Sequence, residues 1–314
     1  MSSKPITEMA VNDTVTGFFA VRKKAVRESV RGDFVSLELG DHSGRVNAVC
    51  WDPDQFCLIE LEAGMVIKAK GVVGEYRDKK QLVLSRIRLA KDGEFQLETI
   101  LPHSSKPLEE RRARILSLAE RIENSYLKAL ADSFLHDEKF LESFMTSPAG
   151  KLWHHAFIGG LSEHSANVAQ MAMELGSHYG FLDKDLLLFG GLFHDAGKMA
   201  SYATGTMIDY TDDGRLIGHI VLMDQWLCER AKRIEGFPDQ LLTKVRHILL
   251  SHQGEFDTPV QPMVPEAFIV YYCDEIDSKM GAIERIRSRH NGVGWSGFVN
   301  LLSRYLYFGE KSEE

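Results

Sequence analysis

The chain has 314 residues, 44% hydrophobic and 26% charged, a balance that excludes a disordered chain or a fibre and leaves room for two or three domains. No window approaches about 18 uncharged apolar residues, so no membrane partner is expected, and four scattered cysteines without a CxxC pair exclude a disulfide framework and a zinc ribbon. The net charge of -8 argues against a nucleic-acid partner only until it is divided: residues 1–100 carry 15 basic and 15 acidic side chains, and the acidic excess lies beyond them.

The opening residues, MSSKPITEMAVNDT, lack the apolar stretch of a signal peptide, so cytoplasm is the expected compartment. From about 14 to 90 the sequence reads as short strands. VTGFFAVRKKAV is the first; DFVSLELGD follows, with Val35, Leu37 and Leu39 on one face and Phe34, Ser36 and Glu38 on the other. The turn DHSGR leads into VNAVCW, a segment over 52–62 reads as helical, and AGMVIKAKGVVGEY and KQLVLSRIRLA give two more strands around RDKK. Five strands with one helix between the third and fourth is the order of an OB-fold barrel, although SH3-like barrels and plain sheets also contain five short strands.

Residues 92–110 are polar, hold two of the nine prolines and read as a linker between a domain over 1–91 and another over 111–314. From 107 the period becomes helical, first as one amphipathic helix or a pair, then over 161–179, 184–194, 215–234, 238–252, 265–290 and 295–308. The expected architecture is therefore multidomain, an N-terminal all-β barrel followed by an all-α domain.

Metal-ligating residue types occupy positions in this second part where helical spacing calls for apolar ones. His164 lies on the inward stripe of LSEHSANVAQMAMEL, His194-Asp195 closes the apolar run LLLFGGLF, and Asp274 shares a stripe with Ala267, Val270 and Tyr271. A buried carboxylate costs on the order of several kcal/mol unless it is paired or bound to a metal, and one shared ion accounts for all three burials. Imidazole and carboxylate together suit Mn, Fe, Zn, Ni or Mg. His219, His247 and His252 are candidates for a second metal position; helix capping or surface exposure is the competing reading of each.

The order His164, His194-Asp195, His219, His252, Asp274 resembles the HD-domain superfamily of metal-dependent phosphohydrolases, with a metal core over about 150–290. HHAFIGGLSEHS, LFHDAGK, GHI, SHQG and CDEIDSKM resemble more specifically the YhaM-type 3'-to-5' exoribonucleases, which carry an OB-fold before the HD domain. The resemblance implies His164, His194, Asp195 and Asp274 as primary metal ligands. It implies His219 and His252 as holders of a second metal or of the scissile phosphate, and Lys198 as a cation for phosphate oxygens, so that Lys198, Asp195, His219 and His252 form the catalytic set. One departure is His252-Gln253, where many members have two consecutive histidines; glutamine is a poor metal ligand. Mn²⁺ is the expected ion, with Mg²⁺, Fe²⁺ and Ni²⁺ as alternatives.

The activity implied is release of 5'-mononucleotides from the 3' end of single-stranded RNA, with single-stranded DNA as a further substrate and a homo-oligomer as a further expectation. The alternatives are an HD phosphohydrolase of a small nucleotide with a regulatory OB domain, and a non-catalytic single-strand-binding protein. In the barrel, the strand-binding candidates are Phe34 and Trp51 for base stacking and Arg22, Lys24, Arg77, Lys79 and Lys80 for the phosphate backbone. His154 and His155 read equally as hydrogen-bond partners of a metal ligand and as helix-capping or core residues, and Asp277 is expected to orient Lys279 or a metal-bound water.

Overall fold

The computed structural model describes residues 4–30, 32–52, 61–77, 79–151, 153–255, 258–289 and 292–310. The chain divides into two compact units, Met1–Ser105 with Ala203–Asp209, and Lys106–Tyr202 with Tyr210–Glu314.

In the first unit, β1 (Thr14–Arg27), β2 (Phe34–Gly40), β3 (Arg45–Cys50), β4 (Val66–Tyr76) and β5 (Lys79–Leu89) close into a barrel of order β1-β2-β3-β5-β4. All neighbours are antiparallel except β3 and β5, which run parallel. That closed circuit with one parallel pair is the OB-fold. Period-two alternation sends Phe19, Val21, Val35, Leu37, Leu39, Val46, Ala48, Ile67 and Leu82 to the interior. Gly71 sits at a register shift between β4 and β5, where a Cβ would lie 2.4 Å from Val83 O, so only glycine fits the bulge. The helix expected over 52–62 falls largely on residues 53–60, outside the described residues. The expected linker begins as structure: α1 (Leu97–Ile100) buries Ile100, and Phe95 packs its ring against Phe18.

The second unit is helical, with α2 (Leu108–Ala119), α3 (Ser125–Leu135), α4 (Glu138–Thr146), α5 (Gly160–Gly176), α6 (Lys184–Phe193), α7 (Lys198–Ser201), α8 (Asp212–Leu216), α9 (His219–Ala231), α10 (Asp239–Ser251) and α11 (Pro265–Arg289). Asn124, Asp137 and Asp183 cap α3, α4 and α6 by accepting main-chain N–H groups of the first turn. The core is built from α2 to α6 and α9 to α11, with Phe134, Phe144, Phe189 and Phe193 fully buried.

Three expectations require correction. The helix expected over 215–234 is broken at Gly218, whose φ of 84° turns the chain between α8 and α9. The segment 202–210 forms a two-stranded hairpin, β6 (Tyr202–Thr204) and β7 (Ile208–Tyr210), so this part is not purely α. Residues 295–308 are not an α-helix. Trp295 pairs with Tyr307 and Val299 with Arg304 in isolated antiparallel bridges around a single 3-10 turn, Asn300–Leu302. The apolar residues here recur at helical spacing, but Gly292 and Gly294 adopt positive φ, and the aromatic residues pair across the turn instead.

Candidate metal centre and strand-binding face

Helices α5, α6 and α11 position the centre. α5 crosses α6 with backbones nearly touching: a Cβ on Gly191 would lie 2.4 Å from Ala169 Cα. This close approach brings His164, on the buried face of α5, to His194-Asp195 at the end of α6. The start of α5 is fixed by the buried Arg111, whose Nη1 donates to Met145 O, Gly159 O and Ser162 Oγ at 2.7, 3.2 and 2.8 Å. Gly197 serves the same end. A Cβ there would lie 2.0 Å from His219 O, so glycine lets the start of α9 close onto the turn after Asp195.

Two sets of side chains converge on Asp195. Candidate ligand atoms of His164, His194, Asp195 and Asp274 all lie within 4.8 Å of one another, and so do those of Asp195, His219 and His252. His164 Nε2 stands 3.3 Å from Asp195 Oδ2 and 3.1 Å from Asp274 Oδ1. On the other carboxylate oxygen, His219 Nε2 and His252 Nε2 lie 3.3 and 3.4 Å from Asp195 Oδ1. His194 and His252 each donate Nδ1–H to a carbonyl one turn back, Gly191 O at 3.0 Å and Leu249 O at 2.7 Å. His164 Nδ1 is bonded to Asp277 Oδ2 at 2.7 Å. In all three rings Nε2 therefore faces the centre, and in the neutral tautomer it carries only a lone pair. Asp195 Oδ1 and His252 Nε2 are buried without a hydrogen-bond partner. Lone pairs aimed at carboxylates in a buried space require a cation between them. The donor set, imidazole plus carboxylate, is that of a divalent transition metal, so these residues fit one.

Charge in the centre is arranged accordingly. Burial opposes ionisation of Asp195, yet Lys198, which donates to Oδ2, and the surrounding histidines hold its carboxyl well below the usual carboxylate range. Burial also disfavours a charged His164, but hydrogen bonds with Asp195, Asp274 and Asp277 outweigh it and raise the ring well above its ordinary value. His194 and His219 are pushed down by burial, and His154, whose ring nitrogens are buried without hydrogen-bond partners, is lowered to about 2 for the same reason.

The structure thus brings together His164, His194, Asp195, Lys198, His219, His252 and Asp274. Gln253, in place of the expected histidine, has its amide nitrogen 3.4 Å from His219 Nε2. His247 stands apart, accepting the Met263 N–H at 2.8 Å. Asp277 does not orient Lys279, which pairs with Glu275; it bonds His164 and Asn167 and lies 2.8 Å from His155 Nε2. Spacing offered one hint of this, since Asp277 follows Asp274 by three residues on one helical face. A bond across 113 residues leaves no local trace.

On the barrel, Phe34 and Trp51 pack together with ring centroids 4.8 Å apart, on the side of β2 opposite its buried residues, and Trp51 is half-exposed. Lys79 and Lys80 are exposed at the start of β5, with Lys80 Nζ donating to Met9 O at 2.5 Å, and Arg77 lies over the Tyr76 ring. Lys24 is half-buried on β1. Arg22 departs from the expected phosphate-facing role: its guanidinium donates to Ile100 O and Thr206 O, both at 3.3 Å, and burial lowers its pKa.

A closed five-stranded barrel joined to a helical unit with this His/Asp centre defines a hydrolase of the HD metal-dependent phosphohydrolase class that carries an OB-fold. Comparison with known proteins agrees. The HD-domain model matches residues 161–279, and the model for the OB-fold nucleic acid binding domain matches residues 19–90. The chain is 30% identical over 291 residues to the 3'-5' exoribonuclease YhaM of Bacillus velezensis, covering 91% of this chain and 92% of that one. It is 31% identical over 259 residues to the YhaM of Bacillus subtilis, covering 82% of each. The chain belongs to the YhaM family. Among solved structures, the second OB-fold domain of replication protein A from Methanococcus maripaludis aligns with 31% of this chain and all of its own, at 20% identity and a TM-score of 0.25. Among the described residues no helix is long and apolar enough to cross a membrane.

Proposed function

We propose that this protein is a metal-dependent 3'-to-5' exoribonuclease that hydrolyses single-stranded RNA, and single-stranded DNA as a secondary substrate, to 5'-mononucleotides in the cytoplasm. The carrying observation is the Asp195 carboxylate, whose two oxygens face two separate sets of imidazoles. In this reading His164, His194, Asp195 and Asp274 hold one divalent ion, with Mn²⁺ the favoured species, and His219 and His252 face a second. A bound divalent ion supplies a water of lowered pKa and neutralises charge on phosphoryl oxygens.

The protein's own side chains do the rest. Lys198, almost fully buried beside Asp195, fixes a positive charge at the centre and reduces the repulsion between the carboxylates and an incoming phosphodiester. The Nδ1 bonds of His164, His194 and His252 prevent the rings from rotating away as substrate enters. On the barrel, Phe34 and Trp51 offer flat apolar faces to unpaired bases, and Lys24, Lys79 and Lys80 contribute positive charge for the backbone.

The test is product identification. Single-stranded RNA digested with Mn²⁺ should yield 5'-monophosphates by chromatography. Hydrolysis of a small nucleotide at a rate that competing RNA does not change would instead favour a small-molecule phosphohydrolase, and RNA binding that survives chelation without any cleavage would mark a binding protein.

A further inference from the structure

Asp277 lies behind His164, on the side away from the other ligands. Its Oδ2 is 2.7 Å from His164 Nδ1 and 2.8 Å from His155 Nε2, and its Oδ1 accepts from Asn167 Nδ2 at 2.8 Å. Asn167 is held in turn: its Oδ1 accepts from Arg114 Nη1 at 2.8 Å, while Arg114 Nη2 donates to Gln170 Oε1 at 2.7 Å. Arginine can only donate, so the Asn167 oxygen must face Arg114 and its NH₂ must face Asp277. With one Asp277 oxygen engaged by that amide, the other receives His164 Nδ1–H. The direction of every bond along the chain is thereby determined.

We propose that Arg114, Asn167 and Asp277 form a hydrogen-bond relay that fixes the His164 tautomer and ring orientation, making them positioning residues for the metal centre. The relay ties α2, α5 and α11 to one imidazole nitrogen. His155 joins at Asp277 from a strained loop. Its φ is 42°, and its carbonyl lies where a Cβ on Gly160 would meet it at 2.0 Å, so glycine at 160 lets the loop seat His155 against Asp277. Carboxylates behind a metal-bound histidine fix its tautomer and raise its basicity, and their loss typically weakens metal binding about 10–100-fold. The inference rests on reading His164 as a metal ligand.

The experiment is Mn²⁺ titration by calorimetry of the full-length wild type, Asp277→Asn, Asn167→Ala and Asn167→Asp, with melting temperatures of the metal-free proteins and long-range ¹H–¹⁵N spectra of the histidine rings. Asp277→Asn should bind Mn²⁺ about 10–100-fold more weakly. Both Asn167 variants should weaken binding in the same direction by less, with the His164 Nδ1 resonance of the metal-free protein displaced from its wild-type position as the bond to Asp277 loosens. Wild-type affinity in all three variants overturns the relay, even if their metal-free melting temperatures fall, because that pattern is purely structural. A wild type that binds no Mn²⁺ overturns the metal centre itself and the relay with it.

Discussion

His164 and His194 point their Nε2 atoms at each other across 3.1 Å, and each ring has already committed its Nδ1, to Asp277 Oδ2 and Gly191 O respectively. Two neutral rings in that arrangement present lone pair to lone pair. Something positive must lie between them, and hydrogen bonds with Asp195, Asp274 and Asp277 favour a charged His164 in spite of burial.

This relationship predicts proton release on metal binding. The surrounding carboxylates raise the His164 pKa, so an entering cation competes with a proton at this ring. Apparent Mn²⁺ affinity should therefore climb as pH rises through the neutral range. Calorimetry in two buffers of different ionisation enthalpy should report about one proton released per ion bound at this position; identical heats in both buffers would refute it.

The shared carboxylate predicts how the sites fail. Asp195→Asn should impair both groups of ligands, whereas His219→Ala and His252→Ala should affect only the second, because they face Oδ1 alone. Gln253→His places an imidazole beside His219 and should strengthen the second position. Metal content per chain, measured after dialysis, distinguishes these cases; equal loss in all variants contradicts two separable positions.

Packing at α5 and α6 predicts a coupled defect. Gly191→Ala forces a methyl into Ala169, and overpacking of this kind costs about 1–3 kcal/mol. Because the same crossing sets the distance between His164 and His194, the variant should both melt at lower temperature and bind Mn²⁺ more weakly. Lowered melting with unchanged metal affinity would separate the helix crossing from the centre.

Much of the arrangement is legible in the sequence because it depends on period. Alternation in β2 placed Val35, Leu37 and Leu39 inside and Phe34 outside, and the burial of all three agrees. Polar residues interrupting apolar helical stripes marked His164, His194-Asp195 and Asp274. The illegible parts depend on contacts between distant residues or on backbone that overrides period. Asp277 reaches His164 across 113 positions. Arg22 reads as a surface cation, yet two main-chain carbonyls engage it. Residues 295–308 keep a helical spacing of apolar side chains, but positive-φ glycines before them and a left-handed Ser303 fold them back on themselves.

The aromatic pair on the barrel predicts separation of binding from chemistry. Stacking contributes about 1–3 kcal/mol per base, so Phe34→Ala with Trp51→Ala should weaken single-stranded RNA binding by a comparable amount while Mn²⁺ affinity stays at the wild-type value. Fluorescence anisotropy with labelled RNA checks it, and unchanged RNA affinity rejects this face as the stacking platform.

Exonucleolytic cleavage at this metal centre is decided by incubating 5'-labelled single-stranded RNA with Mn²⁺ and the wild-type protein, His194→Ala or Asp195→Ala, and resolving the products at one-nucleotide resolution. A ladder shortening one nucleotide at a time from the 3' end, abolished by chelation and in both variants, is the predicted result. Internal fragments, or a ladder that persists in either variant, would contradict it.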